Sequence, residues 1–132
     1  MNPQKDLKLL LKGLTPTLNK GSYIFYSQAH PPSNLIQSAI SIFKEKEGIS
    51  LILPKEVAEQ ENINYEFVAA WITLEVHSAL DAVGLTAAFS HALTAHNISC
   101  NVVAGFFHDH IFVDIKDAEK SMQVLKNLSQ EV

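Results

Sequence analysis

Residues 71–115 read WITLEVHSALDAVGLTAAFSHALTAHNISCNVVAGFFHDHIFVDI, and the order of periodicities inside this stretch decides the fold class. The run FVAAWITLEV at 67–76 alternates, which places Ile72, Leu74 and Val76 on one face of a strand and Thr73, Glu75 and His77 on the other. From 83 to 97 the period changes: Leu85, Ala88, Phe89, Ala92 and Leu93 share one helical stripe, while Ser90, His91 and Thr94 turn away. Residues 98–115 then hold two apolar runs that meet between Gly105 and Asp109, the pattern of two strands joined at a turn. AEKSMQVLKNL at 118–128 closes as a helix with Ala118, Met122, Leu125 and Leu128 inward. Strand, helix, strand, strand, helix is the split βαβ order of an α+β, ferredoxin-like domain, an antiparallel sheet covered on one face by helices. Its fourth strand is either missing or borrowed.

Working back toward the N-terminus, the same order recurs more faintly. KDLKLLLKGL at 5–14 puts Leu7, Leu10, Leu11 and Leu14 on one helical face, and Pro16 ends the turn. SYIFYSQ at 22–28 is strand-like, HPPSN at 30–34 is loop chemistry, and 38–53 reads as a hairpin turning at Gly48. KEVAEQE after Pro54 is a short helix. The chain therefore reads as two halves, 1–64 and 65–132, each a copy of one unit of about 65 residues. Copy one has too few residues between Ala29 and Gln37 for a crossover helix, so helix 5–14 is expected to cover its bare sheet.

With 132 residues, 47% of them hydrophobic and 18% charged, the chain can bury a core without staples. All ten basic residues are Lys and the net charge is −4, so neither a basic stripe nor guanidinium forks are present and nucleic acid is not an expected partner. No run is long and apolar enough for a membrane span or a secretory signal, and the cytoplasm is the expected location. Cys100 is the one cysteine, which excludes an internal disulfide and a thiolate zinc site.

Asp81, Gly84, Leu85, Ile98, Ser99 and Asn101 fall where the ACT domain, a small fold that binds amino acids in regulated biosynthetic enzymes, carries its acidic residue, glycine turn and following strand. More closely, VHSALDAVGLTAAFSHALTAHNISCNVVAGFFHDH at 76–110 resembles short stand-alone bacterial proteins with two ACT-like halves. Val83 stands where the family usually has Pro before the glycine, and copy one lacks the glycine-turn helix. The resemblance implies a ligand site at the strand-to-helix bend. There the amides of Val83, Gly84 and Leu85 would receive a carboxylate at a helix N-terminus, and Asp81 or Asp109 would meet an ammonium. Asn101 and His108 complete the expected ligand set. The bland alternative is that Asp81 or Ser78 caps the helix and Gly84 relieves packing.

The His-Asp-His at 108–110 raises a second possibility. In this fold the first strand lies beside the third, so the end of 71–77 meets the start of 109–115 and brings His77 toward His108 and His110. Alternation puts His110, Phe112 and Asp114 on the uncovered face with Thr73, Glu75 and His77. Three imidazoles suit zinc, but histidines on one strand face often only line a polar surface. Cys100 is read as a buried hydrophobe, the Lys44–Glu47 run as a solvated turn, His91 and His96 as helix surface, and Trp71 with Phe106 and Phe107 as core, pocket rim or subunit seam.

Together these patterns predict a non-enzymatic sensor that binds a small molecule, an amino acid by resemblance, needs no cofactor, assembles as a homo-oligomer and acts through a protein partner. The alternatives are a metal-binding protein or metal enzyme using His77, His108 and His110, and an interaction module without a ligand.

Overall fold

The computed structural model describes residues 6–76 and 79–131. In chain order its elements are α1 (Leu7–Lys12), β1 (Thr15–Leu18), β2 (Tyr23–Gln28), α2 (Ser33–Ser38), β3 (Ser41–Lys44), β4 (Ile49–Pro54), α3 (Lys55–Gln60), β5 (Ala69–Glu75), α4 (Leu85–Thr94), β6 (Asn101–Ala104), β7 (Asp109–Asp114), a 3-10 turn (Ile115–Asp117) and α5 (Ala118–Gln130). Two compact units form: Lys20–Ala69, and a second made of residues 6–19 together with those from Ala70 onward. The fold is ferredoxin-like, an antiparallel sheet with helices, and the βαβ plan occurs twice. Among the described residues no helix is long and apolar enough to cross a membrane.

In the Lys20–Ala69 unit, β4 lies between β2 and β3. It pairs with β2 from Tyr23↔Pro54 to Gln28↔Ile49 and with β3 from Ser41↔Ile52 to Lys44↔Ile49. The charged β3–β4 turn closes through Glu45 N–H to Gly48 O at 2.9 Å. A crossover helix is present after all: α2 runs Ser33–Ser38, which corrects the expectation that copy one has lost it. Pro31 and Pro32 end the preceding chain, Pro32 sits extended at the N-cap, and six residues suffice because only Leu35 and Ile36 have to reach the core. That core is Ile24, Leu35, Leu51, Leu53 and Ala58.

In the second unit the strand order is β1, β5, β7, β6. Within the split βαβ plan these are the fourth, first, third and second strands, so β1 supplies the strand that the second half lacks. It pairs antiparallel with β5 from Thr15↔Glu75 to Leu18↔Ile72, and Thr17 Oγ1 donates to Glu75 Oε2 at 2.6 Å. Pro16 does not stop the chain here; it sits inside β1, at the unit's sheet edge, where a missing N–H costs no ladder bond.

Helix α1 follows its strand. Leu10, Leu11 and Leu14 pack into the core of Ile72, Leu74, Leu85, Phe89, Leu93, Ile111, Val113 and Leu125, not onto the first half's sheet as expected. The physical reason is the two-residue link from α1 to β1: once β1 pairs with β5, the helix is held beside that strand's own unit. The packing units differ from the halves 1–64 and 65–132 by the transfer of this N-terminal segment to the second unit and of residues 65–69 to the first. Asp6 caps α1, its carboxylate accepting Leu9 N–H at 3.1 Å. Helix α4 buries Leu85, Phe89 and Leu93, four residues apart, and α5 buries Ala118, Ser121, Val124 and Leu125. Each fully buried Leu or Phe contributes about 2 kcal/mol of apolar transfer, which holds both helices on one sheet face.

Candidate functional site

The chain between β5 and α4 makes two bends. Ala82 N–H donates to Ala79 O at 3.0 Å, closing a turn with Asp81 in its third position. Gly84 then adopts φ 105°, ψ −17°, a conformation open to glycine and strained for other residues. A Cβ there would also lie 3.1 Å from Leu7 Cδ2 on α1. Helix α4 starts at once, with Ala88 N–H bonded to Gly84 O at 2.9 Å. The N-cap position is held by a glycine, which has no side chain to cap with, and Leu85, Thr86 and Ala87 carry N–H groups without intrahelical partners, in the positive field of the helix.

Beside the bend lies a pocket of about 160 Å³, lined by Ala79, Leu80, Ala82, Gly84, Leu85, Thr86, Ala104 and Asp109. Asp109 arrives there through the β6–β7 hairpin. Gly105 N–H donates to His108 O at 2.9 Å, leaving Phe106 and Phe107 as the loop and setting Ala104 opposite Asp109. Gly105 is needed for this approach, because a Cβ would stand 2.8 Å from His108 O and 3.2 Å from His110 Nε2. The Asp109 carboxyl is half-buried; burial raises its pKa, and neighbouring His110 offsets part of that rise. Its side chain makes no hydrogen bond or ion pair among the described residues.

Of the expected ligand set, Gly84, Leu85 and Asp109 line the pocket. Asp81 and Val83 stand on the bend but outside the lining, Val83 being 84% exposed. Asn101 is at the other end of β6, where its Nδ2 donates to Phe112 O at 3.3 Å; it ties the hairpin and does not reach the pocket. His108 is half-buried in the hairpin turn, and its buried Nδ1 has no partner among the described residues. Ala79, Leu80, Ala82, Thr86 and Ala104 carry no local signal of a site, although Ala104 is accessible from the hairpin register that sets it against Asp109.

The opposite sheet face gathers Trp71, Thr73, His110 and Phe112, as alternation requires for the last three. Trp71 and Phe112 stack with ring centroids 6.2 Å apart. Trp71 Nε1–H donates to His110 Nδ1 at 3.0 Å, and Thr73 Oγ1 is 3.2 Å from the same nitrogen. An indole N–H can only donate, so Nδ1 must accept and His110 is neutral with its proton on Nε2. Burial lowers the His110 pKa, the charge of His108 lowers it further, and Asp109 opposes both. Asn19, just after β1, completes the set by donating from Nδ2 to Thr73 Oγ1 at 2.9 Å and to Trp71 O at 3.2 Å. Its long-range pairing hides it from any local pattern.

This arrangement does not favour the metal alternative. His77, like Ser78, lies outside the described residues, and His110 Nδ1 is already engaged by Trp71. Among the described residues no three His, Cys, Asp or Glu side chains group closely enough to hold an ion. Cys100 is half-buried against the core, and burial pushes its thiol up to about 11, which keeps it protonated and unreactive near neutrality.

Residues 2–70 match one ACT domain family model and residues 66–127 match another. No curated protein matches the chain. Among solved structures, a Vibrio cholerae protein of unknown function, described as a possible transport protein, is similar at 42% identity and TM-score 0.85, covering 96% of this chain and 98% of that one. An Agrobacterium tumefaciens protein is similar at 21% identity and TM-score 0.67, covering 88% and 89%. The regulatory subunit of aspartate kinase from Thermus flavus shares the fold at 9% identity and TM-score 0.63, covering 87% and 97%.

Proposed function

The chain belongs to the ACT-domain family, and from that premise we propose that it is a regulatory module that binds an amino acid at the β5–α4 bend and performs no catalysis of its own. The observation that carries this reading is the convergence of two opposite charge preferences on one pocket. The N-terminal end of α4, with glycine at its N-cap, offers N–H donors to a carboxylate, and Asp109 offers a half-buried acceptor to an ammonium. A zwitterion satisfies both at once. Gly84 makes the arrangement possible, because its left-handed conformation turns the chain directly from the pocket floor into the helix.

The same reading includes assembly with further copies of the chain and an output through another protein. It is supported by the large apolar groups left in solvent around the bend and hairpin: Leu80 at 73%, Val83 at 84%, Phe106 at 73% and Phe107 at 62%. Sedimentation with and without ligand tests that part.

Ligand binding is tested by a thermal-shift screen of the full chain against the proteinogenic amino acids at millimolar concentration. A ligand at ten times its Kd stabilises the native state by about 1.4 kcal/mol. For a chain of this length that is a rise in Tm of roughly 4–7 °C. No shift with any amino acid overturns the reading.

A further inference from the structure

On the sheet face opposite the helices, two unlike neighbours share one nitrogen of His110. Its Nδ1 accepts the Trp71 indole N–H at 3.0 Å, and Thr73 Oγ1 stands 3.2 Å from the same atom. An indole N–H can only donate, whereas a hydroxyl donates or accepts. The two therefore answer differently to a proton on Nδ1. Thr73 Oγ1 turns its hydrogen away and accepts, while still receiving Asn19 Nδ2–H at 2.9 Å on its other lone pair. Trp71 is left with N–H facing N–H and has to give way. We propose that His110 is a proton switch: neutral, it holds the Trp71 indole on the sheet face; protonated, it changes partner to Thr73 and releases the indole.

The groups around the imidazole set where the exchange falls. Burial disfavours the charged form most, His108 adds to that, and Asp109 opposes both, so the exchange lies on the acid side of the ordinary histidine range. On β5, Glu75 shares the face beyond Thr73, its carboxylate accepting from Thr17 Oγ1 at 2.6 Å. His77 follows it, outside the described residues. On β7, Asp114 is four residues from His110, about 13 Å along the strand. β6 sets the uncharged Val103 opposite His110. The switch also reaches the hairpin. A Cβ on Gly105 would stand 3.2 Å from His110 Nε2 and 3.3 Å from its Cδ2, so the ring lies against the turn that Gly105 N–H closes onto His108 O at 2.9 Å. An imidazole that shifts toward Thr73 draws on this turn, and the turn carries Asp109.

Nuclear magnetic resonance of the full chain from about pH 8 down to about pH 4.5 is the test. Trp71 is the single tryptophan and gives one indole N–H signal. On acidification that signal should move upfield and exchange with water roughly tenfold faster, in step with the His110 Cε1–H signal and with a midpoint below about 6.5. The Gly105 amide should exchange faster over the same range. Trp71→Phe removes the donor that favours the neutral form and should raise the His110 midpoint by about half to one pH unit. Thr73→Val removes the acceptor of the charged form and should lower it. His77→Gln should leave the indole titration in place, and His110→Gln should abolish it. Far-ultraviolet spectra matching wild type serve as the folding control, and the wild-type titration stands without any variant. An indole signal indifferent to pH, one that still titrates in His110→Gln or ceases to in His77→Gln, or a His110 midpoint unmoved by Trp71→Phe overturns the switch. A Gly105 amide indifferent to pH overturns its reach to the hairpin.

Discussion

Replacing Gly84 with Ala tests the bend on which the site depends. The residue has φ 105° and ψ −17°, where an L side chain is strained by about 1–3 kcal/mol. A Cβ would also approach Leu7 Cδ2 to 3.1 Å, but Leu7 is 36% exposed and its chain end can move, so the steric part is small beside the backbone part. A total near ~2 kcal/mol should lower Tm by roughly 6–10 °C, with urea unfolding followed through the emission of the single tryptophan giving the free energy directly. Two companions separate the causes. Gly84→Asn should cost less than Gly84→Ala, because Asn tolerates positive φ better, although its side chain is larger. In a Leu7→Ala background the cost of Gly84→Ala should fall by only a few tenths of a kcal/mol. If Gly84→Ala costs under about 0.5 kcal/mol, or if Leu7→Ala rescues it fully, a left-handed glycine does not hold the bend and the site loses its structural basis.

Three further outcomes are expected. Leu10→Ala, at a fully buried position, should cost about 2–5 kcal/mol, and amide exchange should quicken in α4 and α5 rather than in β2 and β4; the reverse distribution would place α1 on the wrong unit. Because the His110 pKa is lowered in the folded chain, the unfolded chain takes up more protons as pH falls below about 6.5, so stability should fall through that window. The tryptophan emission should change as Trp71 loses its acceptor. Asp109, with its raised pKa, acts in the opposite sense at more acid pH, so the comparison is wild type against His110→Gln; equal pH slopes for the two would refute the coupling. Ser121→Ala should stabilise by about 1 kcal/mol, since Ser121 is fully buried and its Oγ has no partner among the described residues; a loss of stability in urea unfolding would show that the hydroxyl is hydrogen-bonded in solution.

What is legible in the sequence follows the reach of its patterns. β5, α4, β7 and α5 can be read because each holds one period for long enough to separate helix from strand. β1 and α2 cannot, for opposite reasons. The four residues of β1 include Pro16, which locally argues for a stop, and their identity as a strand comes only from pairing with β5, 58 residues away at Thr17 and Glu75. Helix α2 is six residues behind a Pro pair, too short to show a stripe, and it exists because Leu35 has a core to enter.

The candidate site divides the same way. Gly84 and Leu85 are legible from the bend itself, and Asp109 from the hairpin that carries it back to that bend. Asn101 misleads because a position in a motif says nothing about distance along a strand: three residues beyond Ala104 is about 10 Å away, at the far end of β6. His110 shows the limit most clearly. Alternation assigns it to the correct face and next to Thr73, yet its chemistry depends on which donor reaches Nδ1. That donor is Trp71, two residues along β5 from Thr73, fixed in turn by Asn19 from the strand that no local pattern reveals. Local periodicity chooses an element and the face it buries; the register between distant strands chooses the partner, and with it whether a histidine is a ligand, a base or a neutral acceptor.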